Sequence, residues 1–178
     1  MQTKFGDVIP STKNLVGANV ELVEAENREY ILKNALAKIK DDYDYIIIDC
    51  PPSLELLTVN AFCAADSVLI PVQCEYYALE GLADLLGTIK LVNKRINPVL
   101  DIEGIVLTMY DSRTKLSEEV ASQLREHFGD KVYKTTIPRN IRISESPSHG
   151  LPVLGYDKYS KGARAYLHLA NELIKAQD

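Results

Sequence analysis

Tyr43-Asp44-Tyr45-Ile46-Ile47-Ile48-Asp49-Cys50-Pro51-Pro52-Ser53 runs from apolar, β-branched residues into a carboxylate and then two prolines. Its composition predicts a buried strand over Tyr45–Asp49 that ends in an acid. A strand of this kind delivers a carboxylate to the edge of a sheet, where a nucleotide-bound Mg²⁺ can be held. The usual partner of such a strand, a Gly-x-x-x-x-Gly-Lys-Ser/Thr loop, occurs nowhere between Met1 and Asp178. The sequence therefore carries one half of a nucleotide site without the other.

A chain of 178 residues can bury one sizeable core. Its 46% hydrophobic and 25% charged residues are ordinary for a globular protein. No apolar run is long enough to span a bilayer, and the first residues have no signal-peptide core, so a cytoplasmic protein is expected. Cys50, Cys63 and Cys74 are odd in number and lie in or beside apolar segments, which suits reduced thiols better than a disulfide framework or a zinc site. The net charge of −5 is uneven: residues 1–112 hold 9 Lys/Arg against 17 Asp/Glu, and residues 113–164 hold 10 against 6. Mild overall acidity argues against a dedicated nucleic-acid protein, yet the second stretch could still present a basic face to phosphates.

Working outward from the opening run, strand-like and helix-like segments alternate. Asp7-Val8-Ile9-Pro10 is a short strand candidate, and Glu29–Lys40 has helical spacing. A helix is expected from about Ser53, whose hydroxyl can cap it, followed by a strand at Ser67–Pro71. Leu79, Leu82, Leu85, Leu86, Ile89 and Val92 form the stripe of a long helix stopped near Asn97-Pro98. Strands are expected at Ile102–Met109, broken by Gly104, at Lys131–Ile137, and at Val153-Leu154, with a helix between at Leu116–Phe128. A last helix from about Ser160 would use Tyr166, Ala170, Leu173 and Ile174 as its inner face. Continuous apolar strands between amphipathic helices predict an α/β fold: one domain over residues 1–178, with a mostly parallel sheet covered by helices on both faces. Ligands of such sheets bind beyond the carboxyl ends of the strands, after Asp49, Pro71, Met109 and Ile137.

Asp49 has the form of a Walker B acid, although an aspartate here could also cap the following helix. The rigid Pro51-Pro52 turn favours the Mg²⁺-associated role, because it holds the carboxylate without offering it competing donors. Glu75 and Glu80 sit at the positive end of the long helix, beside Tyr76 and Tyr77, which read as packing or as the flank of a site. In Ile137-Pro138-Arg139-Asn140-Ile141-Arg142, an asparagine amide could read a base edge while proline packs on its face. Arg113 and Arg142 could each hold a phosphate or pair with surface acids. His127 and His149 lack a Ser or Cys partner at triad spacing, and His149 before Gly150 suits a turn.

The run 43–53, together with Ala64-Ala65-Asp66-Ser67-Val68-Leu69-Ile70-Pro71, Gln73-Cys74-Glu75-Tyr76-Tyr77-Ala78-Leu79-Glu80-Gly81, Leu107–Thr114, Ile137–Asn140 and Tyr159–Ala163, resembles the ParA/Soj chromosome (plasmid) partitioning ATPases. The resemblance covers nearly the whole chain. It implies a deviant-Walker, P-loop NTPase-like fold that binds ATP and Mg²⁺ and dimerises around ATP. It further implies non-specific DNA binding and hydrolysis stimulated by a ParB-type partner. By position, Asp49 matches the catalytic-site acid that acts on Mg²⁺ through water. Pro138 and Asn140 match the adenine-side loop, with Met109 a weaker candidate, and Arg113 and Arg142 match DNA-contacting positions.

The sequence departs from that family at its start. The family's Lys-Gly-Gly-Val-Gly-Lys-Thr loop and Asp-x-Asp-Pro-Gln segment are absent from residues 1–178, which resemble only the later two thirds of the family domain. The loop's amides and two lysines cradle phosphates and stabilise the transition state, so this chain alone is expected not to hydrolyse ATP. The alternative is a non-catalytic, P-loop-less paralogue that binds DNA or a full-length ParA subunit. A related membrane-binding septum-site ATPase would need a basic amphipathic tail, which Asn171–Asp178 does not supply. A cytoplasmic, nucleoid-associated protein follows from the resemblance.

Overall fold

The computed structural model describes residues 1–51 and 55–177, so the expected cap Ser53 lies outside the described residues. They form two compact units, Met1–Asp66 with Thr88–Leu100, and Ser67–Gly87 with Asp101–Asp178.

The second unit is built on a parallel sheet of β3 (Ser67–Gln73), β4 (Asp101–Tyr110) and β5 (Val132–Pro138), in the order β3-β4-β5. On β4, Ile105, Val106 and Leu107 are 0%, 3% and 0% exposed. Successive strand residues point to opposite faces, so both faces of the central strand are covered, as the unbroken apolar run predicted. Burying each such side chain contributes about 1.5–3 kcal/mol. Glu103 is an extra residue that shifts the β3–β4 register between Val68 and Leu69. Gly104 follows it and does not break the strand. A Cβ at Gly104 would overlap the Tyr133 ring on β5, so the close approach of the two strands needs glycine.

Helix α4 (Ala78–Arg95) buries Leu82, Ile89 and Val92, in keeping with the stripe read from the sequence. Thr114 caps helix α5 (Lys115–Phe128) by accepting from the Ser117 amide, and the helix buries Val120, Ala121 and Leu124. Helix α6 (Ile141–Glu145) follows β5 directly. Val153–Tyr156 is the short helix α7, not a strand: the Pro152 carbonyl accepts from Gly155 and Tyr156, closing a turn.

Helix α8 (Lys161–Gln177) starts where Ser160 Oγ accepts from the Ala163 amide. Its inner face is Ala163, Ala165, Leu169 and Leu173, of which the last three pack with Val106, Tyr133 and Ile137. Of the expected inner residues only Leu173 lies there; Tyr166, Ala170 and Ile174 are exposed. Gly162 and Ala163 explain the rotation, because small residues let the helix approach its neighbours closely where Tyr166 would hold it off.

The first unit begins with a two-residue hairpin, β1 (Gln2–Thr3) against β2 (Gly6–Asp7), which is all that the expected Asp7–Pro10 strand becomes. Helices α1 (Ala18–Glu21), α2 (Ile31–Leu36) and α3 (Leu56–Ala64) follow, so the Glu29–Lys40 helix is shorter than its periodicity predicts. Helix α3 buries Thr58, Asn60, Ala61, Phe62 and Cys63. Two buried asparagines organise this unit. Asn60 accepts from the Leu32 amide at 3.1 Å and donates to the Arg28 and Leu56 carbonyls. Asn97 donates to the Phe62 and Ala65 carbonyls at 2.9 and 2.8 Å, satisfying the end of α3.

The Tyr45–Asp49 segment is not a strand. It forms no ladder among the described residues, and Ile47 is 91% exposed. A β-branched run becomes a strand only where a neighbour accepts its amides and carbonyls. The Tyr43 hydroxyl fastens the start of this segment to Asp7 at 2.7 Å, and that bond raises the phenol's pKa.

Candidate functional site

In the first unit, Asp49 follows half-buried Ile48 and its side chain is exposed. Helix α3 starts at Leu56 with Glu55 in the N-cap position, so Asp49 does not cap it. No group of three or more His, Cys, Asp or Glu among the described residues could hold a metal ion. A lone carboxylate of this kind fits a Mg²⁺ held mainly by water and phosphate oxygens, and does not fit a protein cage.

The other five candidates lie in the second unit, at the carboxyl ends of the strands. Gln73 pairs with Thr108, and the Cys74 amide donates to the Thr108 carbonyl at 3.3 Å. Tyr110 pairs with Pro138, and the Arg139 amide donates to the Tyr110 carbonyl at 3.3 Å. Ladder bonds thus hold the loops carrying Met109, Arg113, Pro138 and Asn140 side by side at one sheet edge. Met109 has a φ of +51°, rare for a residue with a side chain, at the point where β4 turns into its loop.

Pro138 is half-buried at the end of β5. Asn140 stands at the start of α6, where Oδ1 accepts from the Arg142 amide at 3.0 Å. Gly162 of α8 lies against this cap. A Cβ there would fall 2.6 Å from Ile143 Cγ1 and 3.2 Å from Asn140 Oδ1. The glycine therefore sets how closely α8 approaches the asparagine.

Both arginines are paired with acids. Arg113 donates to Asp111 three times: from its amide and Nε to Oδ1 at 3.0 and 2.9 Å, and from Nη2 to Oδ2 at 2.7 Å. The guanidinium and then the amide of Arg113 hold the Asp111 carboxyl down to about 2. Arg142 Nη1 donates to Glu145 at 2.9 Å, and its Nε lies 3.5 Å from Asp157. The Tyr156 hydroxyl also donates to Glu145, and the His149 ring stacks on Tyr156. Pairing with surface acids, one of the two roles open to these arginines from sequence, is the one seen here. Arg139 makes a longer contact with Glu75, at 3.8 Å.

Beside this edge, Ile70, Val72, Tyr76, Tyr77, Leu82 and Leu116 bound an open hollow of about 750 Å³. Tyr76 and Tyr77 are 76% and 74% exposed and meet edge to face, so they do not pack in the core. Cys63 and Cys74 are buried thiols, whose pKa values burial raises; Cys50 is exposed. Sequence reasoning assigned no role to Asp111, Glu145, Asp157 or Gly162. For Asp111 a signal existed, since an aspartate two residues before another in a turn readily accepts its amide.

A family model described as an AAA domain matches residues 1–102. The sporulation initiation inhibitor protein Soj of Bacillus subtilis is 60% identical over 94% of this chain and 66% of its own length. The chromosome partitioning protein ParA of Myxococcus xanthus is 53% identical over 98% of this chain and 62% of its own. Cobyrinic acid a,c-diamide synthase from Mycobacterium smegmatis, crystallised with bound ATP analog and magnesium, has a TM-score of 0.85 and 37% identity. That match covers 100% of this chain and 66% of the synthase. The chain thus spans about two thirds of the length of the proteins it matches. It belongs to the AAA-domain family and, within it, to the ParA/Soj partitioning ATPases.

Proposed function

We propose that residues 1–178 form one domain, the later two thirds of a ParA-type chromosome or plasmid partitioning ATPase. Such a protein dimerises with ATP, binds DNA without sequence preference and hydrolyses ATP when a ParB-type partner stimulates it. The observation that carries this reading is the ladder joining Tyr110 to Pro138, which brings Met109, Arg113, Pro138 and Asn140 to one edge of a parallel sheet. Support comes from the shared fold of a synthase crystallised with an ATP analog and magnesium. A cytoplasmic, nucleoid-associated location accompanies this function.

The residues divide the work. Pro138 and Met109 pack against the base, and Asn140 donates to a base nitrogen from Nδ2, its Oδ1 being engaged with the Arg142 amide. Asp49, in the first unit, would act on a Mg²⁺ through its water shell. Arg113 and Arg142 meet DNA phosphates. The base side thus fits a nucleotide. The phosphate side does not, because residues 1–178 contain no Gly-x-x-x-x-Gly-Lys-Ser/Thr loop, and no hydrolytic step runs through this chain alone.

The purified chain is therefore expected to show no ATP turnover above background. Turnover that disappears in Asp49→Ala would overturn this. A non-catalytic paralogue that binds DNA or a full-length ParA subunit is the second reading. It predicts that the chain joins a full-length ParA-type protein without changing its own lack of turnover.

A further inference from the structure

Both arginines proposed to meet DNA phosphates are already engaged by carboxylates of their own unit. The Asp111–Arg113 contact is the more complete. Two guanidinium nitrogens and the amide of Arg113 converge on one carboxylate, in the forked geometry with which a guanidinium grips a phosphate. The Arg113 side chain is 87% exposed and the Asp111 side chain 24%. The arginine is thus presented to solvent while its charge is offset from behind by a carboxylate fixed in the turn. The carbonyl of the same aspartate accepts from the Thr114 amide and hydroxyl at 3.1 Å. Thr114 in turn caps α5, so the turn that carries the carboxylate is tied through its main chain to the start of a long helix.

We propose that Asp111 is a built-in phosphate substitute that occupies Arg113 until a polyanion displaces it, which sets how weakly this face binds DNA. The inference rests on the proposed role of Arg113 as a phosphate contact. It makes DNA binding an exchange of one anion for another: the affinity gained at Arg113 is the difference between a DNA phosphate and Asp111. A single exposed pair is worth little by itself, so the effect is a modest, graded one. Such a device suits a protein that must hold DNA without holding it tightly.

Asp111→Asn is the discriminating substitution. Asparagine keeps Oδ1 for the Arg113 amide and the main-chain bonds to Thr114, so the turn survives, while the charged contact to Nη2 is lost. Binding to a fluorescent mixed-sequence DNA duplex would be measured for the wild type, Asp111→Asn, Arg113→Ala and the double variant. Asp111→Asn is expected to tighten binding about two- to five-fold, a gain in the range of one exposed ion pair. Arg113→Ala is expected to weaken it, and the double variant should match Arg113→Ala. If Asp111→Asn tightens binding by the same factor with Arg113 removed, only overall charge has changed and the inference fails. Unchanged or weaker binding by Asp111→Asn also overturns it. DNA binding that is intact in Arg113→Ala, or absent from every variant, instead removes the phosphate-contact role of Arg113, and the inference with it.

Discussion

Tyr133 lies over Gly104 so closely that no side chain larger than hydrogen fits between the two strands. The tyrosine hydroxyl is buried with no hydrogen-bond partner within 3.5 Å among the described residues, and burial, then the charges of Glu103 and Glu172 and a weaker interaction with the Glu103 carboxylate, push its pKa up to about 12. Gly104→Ala should destabilise the second unit by about 1–3 kcal/mol through overpacking, read by urea unfolding. Tyr133→Phe should be neutral or stabilise by up to about 1 kcal/mol, because it removes an unsatisfied polar group and keeps the ring. A marked loss in Tyr133→Phe would mean that the hydroxyl has a partner.

Asn97→Ala should cost the first unit about 2–3 kcal/mol. It strips the Phe62 and Ala65 carbonyls of their shared donor at a site only 2% exposed. Circular dichroism during urea unfolding would show the shift. Asn97→Asp offers no amide donor and should not rescue it.

The Glu172 carboxylate accepts from the Lys134 and Thr135 amides at 2.7 and 2.9 Å, fastening α8 to β5. Burial raises its pKa, but these bonds, with the nearby Lys134 charge, more than offset that, and the net shift is downward. A lowered folded pKa means stability that is present above the ordinary glutamate range and lost as pH falls through the folded value. Glu172→Gln should therefore destabilise by about 1–2 kcal/mol at neutral pH, and the gap to wild type should close in acid.

Asp111, held down to about 2, should titrate about two units below an ordinary aspartate of 3.8. The Asp111–Arg113 pair is then intact from neutral pH down past the ordinary aspartate range and is lost as pH falls through about 2. Carbon NMR of the Asp111 carboxyl would give the midpoint. In Arg113→Ala it should return towards 3.8; a midpoint unmoved by that substitution would contradict the pairing.

The α4 stripe and the three parallel strands were legible in the sequence because their periodicity is local and their burial is extensive. The Tyr45–Asp49 strand was not, since an apolar β-branched run specifies what it could pair with and says nothing of whether a neighbour is there. On α8 two apolar stripes overlap, and close approach at Gly162 selected the one through Leu169 over the one through Tyr166. At the site, Arg113 and Arg142 could be recognised as exposed cations near strand ends. Which anion each holds depends on turns formed by Asp111 and Asp157, which residue type alone does not specify.

The unladdered Tyr45–Asp49 segment has a consequence for the protein as a colloid. Ile46 and Ile47 are exposed in a stretch of high β-propensity, the kind of sequence that nucleates stacking between copies. Asp41, Asp42, Asp44 and Asp49 bracket it and act as gatekeepers by mutual repulsion. Salt screens that repulsion and leaves the apolar attraction in place. Raising ionic strength, which loosens any hold on DNA, should therefore draw copies of this chain together.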